Sequence, residues 1–199
     1  MKPEAPELTI CSVYHSDMTR RILEMNADFI RTMNPADSWI HLAINNSPQQ
    51  SIHITHPGLT EIPGAAIPPI APPKGFVGYH EGAGLNIALP HITTHFALFL
   101  DHDFFIVQSE WIAKTLSFMR RGNIAILAAP YHPKYWVKFR YGPGAYCIFA
   151  DRSKFGDEFL EWDFKPQYSP EHLARGERSA ARKAAWRTRQ RTQPSWPRR

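Results

Sequence analysis

Two cysteines in 199 residues are too few for a disulfide scaffold. Both, Cys11 and Cys147, sit inside apolar runs (Leu-Thr-Ile-Cys-Ser-Val and Ala-Tyr-Cys-Ile-Phe), where a reduced thiol behaves as a small core hydrophobe. Long hydrophobic runs are missing too: no window approaches the roughly 18 apolar residues that a membrane-spanning helix needs. The N-terminus lacks the basic start and continuous apolar stretch of a signal peptide, so the expected location is cytoplasmic. No internal repeat is evident. Positive charge is scarce over most of the chain. The formal net charge is +5, but nine Lys/Arg and one Glu lie from Arg175 onward, leaving 14 basic and 17 acidic residues in the first 174. That distribution argues against a nucleic-acid-binding body and assigns the positive charge to a tail.

The rest is the composition of a folded chain, 43% hydrophobic and 13% aromatic, long enough for one globular domain with a core of its own. The chain is thereby divided into a domain over residues 1–174 and a basic, weakly structured tail over 175–199. Residues 8–14 form a β-rich run that ends in Tyr14-His15-Ser16-Asp17, where Ser16 and Asp17 offer a helix N-cap. Apolar residues at Ile22, Leu23, Met25, Phe29, Ile30 and Met33 follow the 3.6 period of a helix closed by Asn34-Pro35. Residues 39–44 read as a second strand, and strand, helix, strand in that order signals a parallel sheet.

Residues 47–75 are dense in proline and read as a surface excursion with one short strand at 52–55. Gly82, Gly84 and Asn86 belong to a short helix. Residues 95–100, His-Phe-Ala-Leu-Phe-Leu, read as a central strand covered on both faces. Ser109 is placed to cap a helix over 110–120, with Trp111, Ile112, Leu116 and Met119 on one side. Residues 124–129 and 145–150 read as two further strands. The expected architecture is α/β: a mainly parallel sheet flanked by helices, in a single domain.

The motif with the most chemistry is Asp101-His102-Asp103, at the end of the most apolar strand. In open α/β sheets, ligands bind beyond the carboxyl ends of the strands. Two carboxylates confined there repel each other unless a cation is present. Mg²⁺ or Mn²⁺ takes hard oxygen ligands and commonly bridges one or two carboxylates to substrate phosphates. Tyr14, His15 and Ser16 after the first strand, and Asn45, Asn46 and Ser47 after the second, would share that sheet edge and offer hydrogen-bond partners to a base and ribose. Gly82 and Gly84 permit close approach of backbone to a ligand.

The stretch Gly-Leu-Asn-Ile-Ala-Leu, then Phe-Ala-Leu-Phe-Leu-Asp-His-Asp, resembles the inverting family 2 glycosyltransferases, of GT-A type. In that family a Gly-x-x-x-Asn-x-Gly/Ala helix leads into a hydrophobic strand and an Asp-x-Asp. Residues 8–16 look like the family's first strand with its nucleotide loop. Asn45-Asn46-Ser47 is similar to its Asp-Asn-x-Ser, with Asn45 where an acid is usual. Residues 141–149 look like the strand that opens the acceptor side, and the likeness extends over roughly residues 8–163. It implies a GT-A-like (Rossmann-like) fold and transfer of a sugar from a nucleoside-diphosphate sugar to an acceptor hydroxyl, carbohydrate or lipid-linked. It also implies Mn²⁺ or Mg²⁺ held by Asp101 and Asp103, with donor contacts from Tyr14, His15, Ser16, Asn45, Asn46, Gly82, Gly84, Asn86, Asp101 and His102. Residues 156–163 resemble the family's Phe-Asp-Glu-x-Phe segment and imply a catalytic base in Glu161 or Asp163. The usual acidic pair and long helical region beyond that segment are replaced by the arginine-rich tail.

Other readings stay open. One is a nucleotide-sugar-binding protein without full catalytic function. His91 and His95 have the i, i+4 spacing of a zinc pair, but Ile92 stands where a zinc hydrolase needs its Glu. In the tail, Arg187, Arg189 and Arg191 with Trp186 and Trp196 suit an anionic membrane surface, or phosphates and bases without sequence specificity.

Overall fold

A computed structural model of the chain describes residues 5–47, 50–64, 79–130 and 143–155, all of which fall in one compact unit. Strand β1 (Leu8–Tyr14) is buried along its whole length. Its alternate residues serve two cores: Leu8 and Ile10 pack with Ile30, Trp111 and Leu116, while Cys11 and Val13 pack with Leu85 and Ala88. A strand that feeds a core on each side must be central, and it is. β1 pairs in parallel with β2 (Trp39–Asn45) on one flank and with β4 (Phe96–Leu100) on the other. Strand β3 (Thr60–Pro63) extends the sheet beyond β2, again in parallel. On the far side, β6 (Pro143–Asp151) runs antiparallel to both β4 and β5 (Ile126–Pro130). The order is β3-β2-β1-β4-β6-β5.

Helix α1 (Asp17–Met33) begins where the sequence predicts. Ser16 is its N-cap, and Thr19 returns the interaction to complete a capping box, which satisfies two of the amides a helix start leaves open. Its buried face is Thr19, Leu23, Asn26, Ala27 and Ile30. Asn34 closes it: the Asn34 side-chain amide donates to the Ile30 carbonyl, and Asn34 Oδ1 accepts from Ile112 N at 3.0 Å. That second bond caps helix α3 (Trp111–Gly122) from a neighbouring element. The expected cap by Ser109 is therefore not made. Glu110 occupies the cap position in a left-handed conformation with no side-chain bond to the helix. Helix α2 (Tyr79–Ala88) lies on the opposite face, against β1 and β2. Both cysteines are buried free thiols.

The strand expected at 52–55 does not form. The backbone there is held by side chains instead: Ile54 N donates to Glu61 Oε2 at 2.7 Å and Thr55 N to Glu24 Oε1 at 2.7 Å. With its donors taken by carboxylates, the segment is tied over α1 and β3 and pairs with no strand. The β-structure in this region lies at β3, whose Pro63 is tolerated at a sheet edge.

β4 anchors the architecture. Phe96, Leu98, Phe99 and Leu100 are each exposed by 3% or less, and burial of such side chains is worth roughly 2 kcal/mol apiece. The turn at the carboxyl end of β4 is thereby held at a fixed point. Among the described residues, no helix is long and apolar enough to cross a membrane.

Candidate functional site

The chain runs from β1 through α1 to β2 on one side, while β4 lies on the other side of β1. At such a reversal of direction, open α/β sheets bind ligands in the crevice beyond the carboxyl ends of the strands, here those of β1 and β4. Asp101-His102-Asp103 leads from β4 directly into it. The residues after β1 arrive at the same mouth, and the rings of His15 and His102 stand edge to face with centroids 6.4 Å apart.

The turn that carries the two carboxylates is tied on three sides. Asp101 N donates to the Tyr146 carbonyl of β6 at 2.9 Å, and Phe104 N closes back on the Asp101 carbonyl at 3.1 Å. Phe104 stacks on Tyr146 with centroids 5.1 Å apart. From α1, Asn26 Nδ2 donates to the carbonyls of His102 and Phe104 at 3.3 and 3.2 Å. His102 is half-buried and its ring bonds to the Val13 backbone; burial holds its pKa below the ordinary imidazole value, against the pull of Asp103 and of that bond.

Asp101 is half-buried and Asp103 exposed. Asp101 Oδ1 is shielded from solvent and has no hydrogen-bond partner among the described residues. Burial first, and the neighbouring Asp103 second, push the Asp101 carboxyl up to about 6. Both causes penalise the charged form, and a cation would relieve both. The donor set is two hard oxygens on one turn. Among the described residues no group of three or more His, Cys, Asp or Glu is placed to hold a metal. Mg²⁺ and Mn²⁺ suit such a sparse site, because they complete their shells with water and substrate phosphate. The residues present fit that kind of ion.

The other predicted residues separate into three groups. His15, Asp101, His102 and Asp103 converge on the crevice, and Asn46 lies beside it, its backbone amide bonded to the Tyr14 carbonyl at 2.8 Å. Tyr14, Asn45 and Ser16 lie at the same edge, but their side chains are committed inward. The Tyr14 hydroxyl is shared between Glu61 Oε2 at 2.9 Å and the Ile52 carbonyl at 3.0 Å. Asn45 Nδ2 donates to the Ile52 carbonyl and to Glu61 Oε1, and its Oδ1 accepts from Ser47 N and Oγ. The Ser16 hydroxyl is spent on capping α1. In the ligand-free chain the side chains of these three are thus engaged within the protein. Buried Gly84 also has a packing duty, since a Cβ there would meet Val13 Cγ2 at 2.8 Å and Asn46 Nδ2 at 2.9 Å. Gly82 is buried and Asn86 half-buried in the same helix. Glu161 and Asp163 lie outside the described residues.

Sequence reasoning overlooks three residues. Glu61 gathers Tyr14, Asn45, His53 and Ile54 N around one carboxylate; burial opposes its ionisation, but those hydrogen bonds outweigh it and hold the pKa down to about 2. His41 is fully buried against Ser12. Asn26 ties the acidic turn to α1. The one sequence signal for Asn26 is a polar residue on the apolar stripe of Leu23, Ala27 and Ile30. The two histidines at zinc-pair spacing do not converge: His91 is exposed, and His95 pairs with Asp151 at 3.0 Å. A depression between the α1–β2 turn and α3, lined by residues that include Asp37, Glu110 and Arg121, lies at the far end of α1 and gathers none of the predicted site residues.

Neither family models nor curated protein sequences match this chain. Solved structures do. The mannosyltransferase PcManGT from Pyrobaculum calidifontis, solved with GDP-Man and Mn²⁺, superposes with a TM-score of 0.52 at 13% identity over 76% of this chain and 46% of its own. An active-site mutant of LgtC gives 0.50 at 13% identity, over 73% of this chain and 58% of its own. The fold is that of GT-A-type glycosyltransferases: a mostly parallel, Rossmann-like sheet flanked by helices. The chain spans about half the length of the enzymes it resembles.

Proposed function

We propose that this chain carries the donor-binding half of a glycosyltransferase that moves a sugar from a nucleoside diphosphate to an acceptor hydroxyl. The observation that carries the reading is the pair Asp101 and Asp103 on a pinned turn at the strand-order switch, with an unpartnered buried oxygen on Asp101. The fold shared with PcManGT and LgtC supports it. Asp101 and Asp103 would hold Mn²⁺ or Mg²⁺ together with the donor diphosphate. The chemistry such an ion supplies is neutralisation of charge on the departing diphosphate.

His15, Asn46 and His102 line the approach to that diphosphate and the nucleoside beside it, with Gly82, Gly84 and Asn86 backing the crevice from α2. Tyr14, Ser16 and Asn45 shape the loops that present these groups. In the reaction the acceptor oxygen attacks the anomeric carbon as the bond to the diphosphate breaks, and a carboxylate takes the hydroxyl proton. By resemblance to family 2 that carboxylate is Asp163 or Glu161, and the displacement inverts the anomeric centre of a hexose. The acceptor is a carbohydrate or a lipid-linked one. The basic residues 175–199 suit attachment at an anionic membrane surface on the cytoplasmic side.

Calorimetric titration with UDP, GDP and TDP tests the reading. At least one should bind tighter by about tenfold or more in Mn²⁺ or Mg²⁺ than in EDTA, because metal and diphosphate complete one another's coordination. Asp103→Asn should abolish the difference. Equal affinities with and without metal for all three would overturn it.

A further inference from the structure

We infer that Asn26 is a positioning residue for the metal-binding turn, setting the direction in which Asp103 is presented; this rests on the donor-binding reading of Asp101 and Asp103. Asn26 is wholly buried, on a helix face otherwise formed by Thr19, Leu23, Ala27 and Ile30. Its Nδ2 donates to the carbonyls of His102 and Phe104. Those are the carbonyls of the two residues that flank Asp103. Nδ2 has two protons and meets two acceptors, whereas the flipped amide would set Oδ1 against both carbonyls, so chemistry fixes the orientation. The remaining oxygen, Oδ1, is buried without a hydrogen-bond partner among the described residues. Leucine would fill this place in the core without an unmet side-chain acceptor of its own. An asparagine with one unmet acceptor is explained by what its amide holds.

The other ties act elsewhere on the turn. Tyr146 and the Phe104–Asp101 bond hold it at amides, and His102 is fastened through its ring. Asp103 itself is exposed, so its carboxylate is aimed by the backbone that carries it. Asn26 clamps that backbone on both sides. Small octahedral cations tolerate little error in the placement of a carboxylate. Partners that orient ligands commonly contribute 10- to 100-fold to metal affinity.

The test uses the full chain with Asn26→Leu, which keeps the core filled and removes the donor. Asn34→Ala serves as the comparison: Asn34 is equally buried on the same helix run but caps α3 at the other end. Two readouts are taken. One is hydrogen exchange at the amides of Asp101 and Phe104, relative to Ile10 and Ser12 in β1. The other is the ratio of GDP and UDP affinities in Mn²⁺ and in EDTA. Asn26→Leu should speed exchange at both turn amides by about tenfold or more, because two hydrogen bonds to the turn are lost. It should cut the Mn²⁺ ratio by about tenfold or more and leave affinity in EDTA alone. Asn34→Ala should move neither readout, whatever it does to thermal stability. Unchanged exchange in a folded Asn26→Leu variant, or faster exchange with an intact Mn²⁺ ratio, would overturn the assignment. If the wild type shows no Mn²⁺ dependence while exchange still accelerates in the variant, the donor-binding reading fails and Asn26 remains the residue that orders the turn. Asn26→Ala, smaller and without a side-chain donor, supplies the same two readouts where the leucine variant does not fold.

Discussion

Among the groups that titrate between pH 7 and 5, buried His41 should cost this fold the most stability. Its imidazole is 2% exposed on β2, with Nε2 3.1 Å from Ser12 Oγ and Nδ1 without a hydrogen-bond partner among the described residues. A charged imidazolium needs acceptors for two N–H groups and finds one at most. Burial first, and the charge of His56 second, push its pKa down from 6.5 to about 3. The sign comes from linkage: the unfolded chain takes up the proton near 6.5 and the folded chain only near 3. Stability is therefore intact above the unfolded value and drains away as pH falls towards the folded one. At about 1.4 kcal/mol per unit, the descent from 6.5 to 5 costs about 2 kcal/mol, and the whole window roughly 4–5 kcal/mol. One carboxylate opposes the loss inside this window: Asp101, pushed up to about 6, takes up its proton first in the folded chain and offsets about 1 kcal/mol by pH 5, an effect shared by wild type and variant. The stability from depressed Glu61 is present above 4.5 and lost only below it. Urea unfolding at pH 7.5, 6 and 5 measures the effect, with His41→Gln as the non-titrating reference. The variant has its own cost at neutral pH, but its stability should depend on pH less steeply by about 2 kcal/mol over this range. Parallel losses in wild type and His41→Gln would refute the argument.

Gly84→Ala should destabilise by about 1–3 kcal/mol in thermal or urea unfolding, because the added methyl enters the space of Val13 and Asn46. It should weaken nucleotide binding as well, by displacing Asn46 at the crevice edge. Once an acceptor supports turnover, Asp163→Asn should depress kcat by about a hundredfold, as loss of a general base does, with donor affinity retained and Glu161→Gln milder. Unchanged turnover in Asp163→Asn removes it from the mechanism. Deleting residues 176–199 should shift Tm little and abolish adhesion to anionic vesicles; a large drop in Tm would show that the tail belongs to the folded domain.

Much of this architecture is legible in the sequence because its signals are physical ones. β1, α1, β2, β4 and β6 declare themselves by apolar runs or the 3.6 period and lie within a few residues of their expected limits. The parallel core of the sheet is implied by strand, helix, strand, and the acidic turn stands where a buried strand must end. The errors have equally physical causes. Ile52-His53-Ile54-Thr55 alternates like a strand, but Glu61 and Glu24 take its amides. β3 escapes detection because four residues with one aliphatic carry no periodicity. The inward packing of the Tyr14 side chain is hinted at by strand alternation, since Tyr14 shares a face with Leu8, Ile10 and Ser12, the face that α1 covers. Asn26 and His41 are invisible in the sequence as site or switch, since single polar residues in apolar patterns acquire meaning only from distant partners.

The acidic turn can be separated from an ordinary polar loop by the opposite signs of two effects of one substitution. The ties that hold the turn run through backbone groups or through His102 and Phe104; among the described residues the Asp103 carboxylate serves none of them as a strut. Its one marked interaction with a neighbouring carboxylate is unfavourable, since Asp103 adds to the burial that raises Asp101. In the ligand-free protein, Asp103→Asn removes that repulsion and should raise stability by up to about 1 kcal/mol, the scale of exposed charge interactions. The same change removes a cation ligand and should abolish the gain in Tm that Mn²⁺ with a nucleoside diphosphate confers on the wild type. A carboxylate kept for structure would lose stability without ligand and leave the ligand response alone. Groups retained for binding commonly sit at a cost to the empty fold. Differential scanning fluorimetry of wild type and Asp103→Asn, each with EDTA and with Mn²⁺ plus GDP or UDP, reads both signs at once. A variant less stable than wild type in EDTA, with an equal response to Mn²⁺ and nucleotide, would assign Asp103 to the fold and not to the ligand.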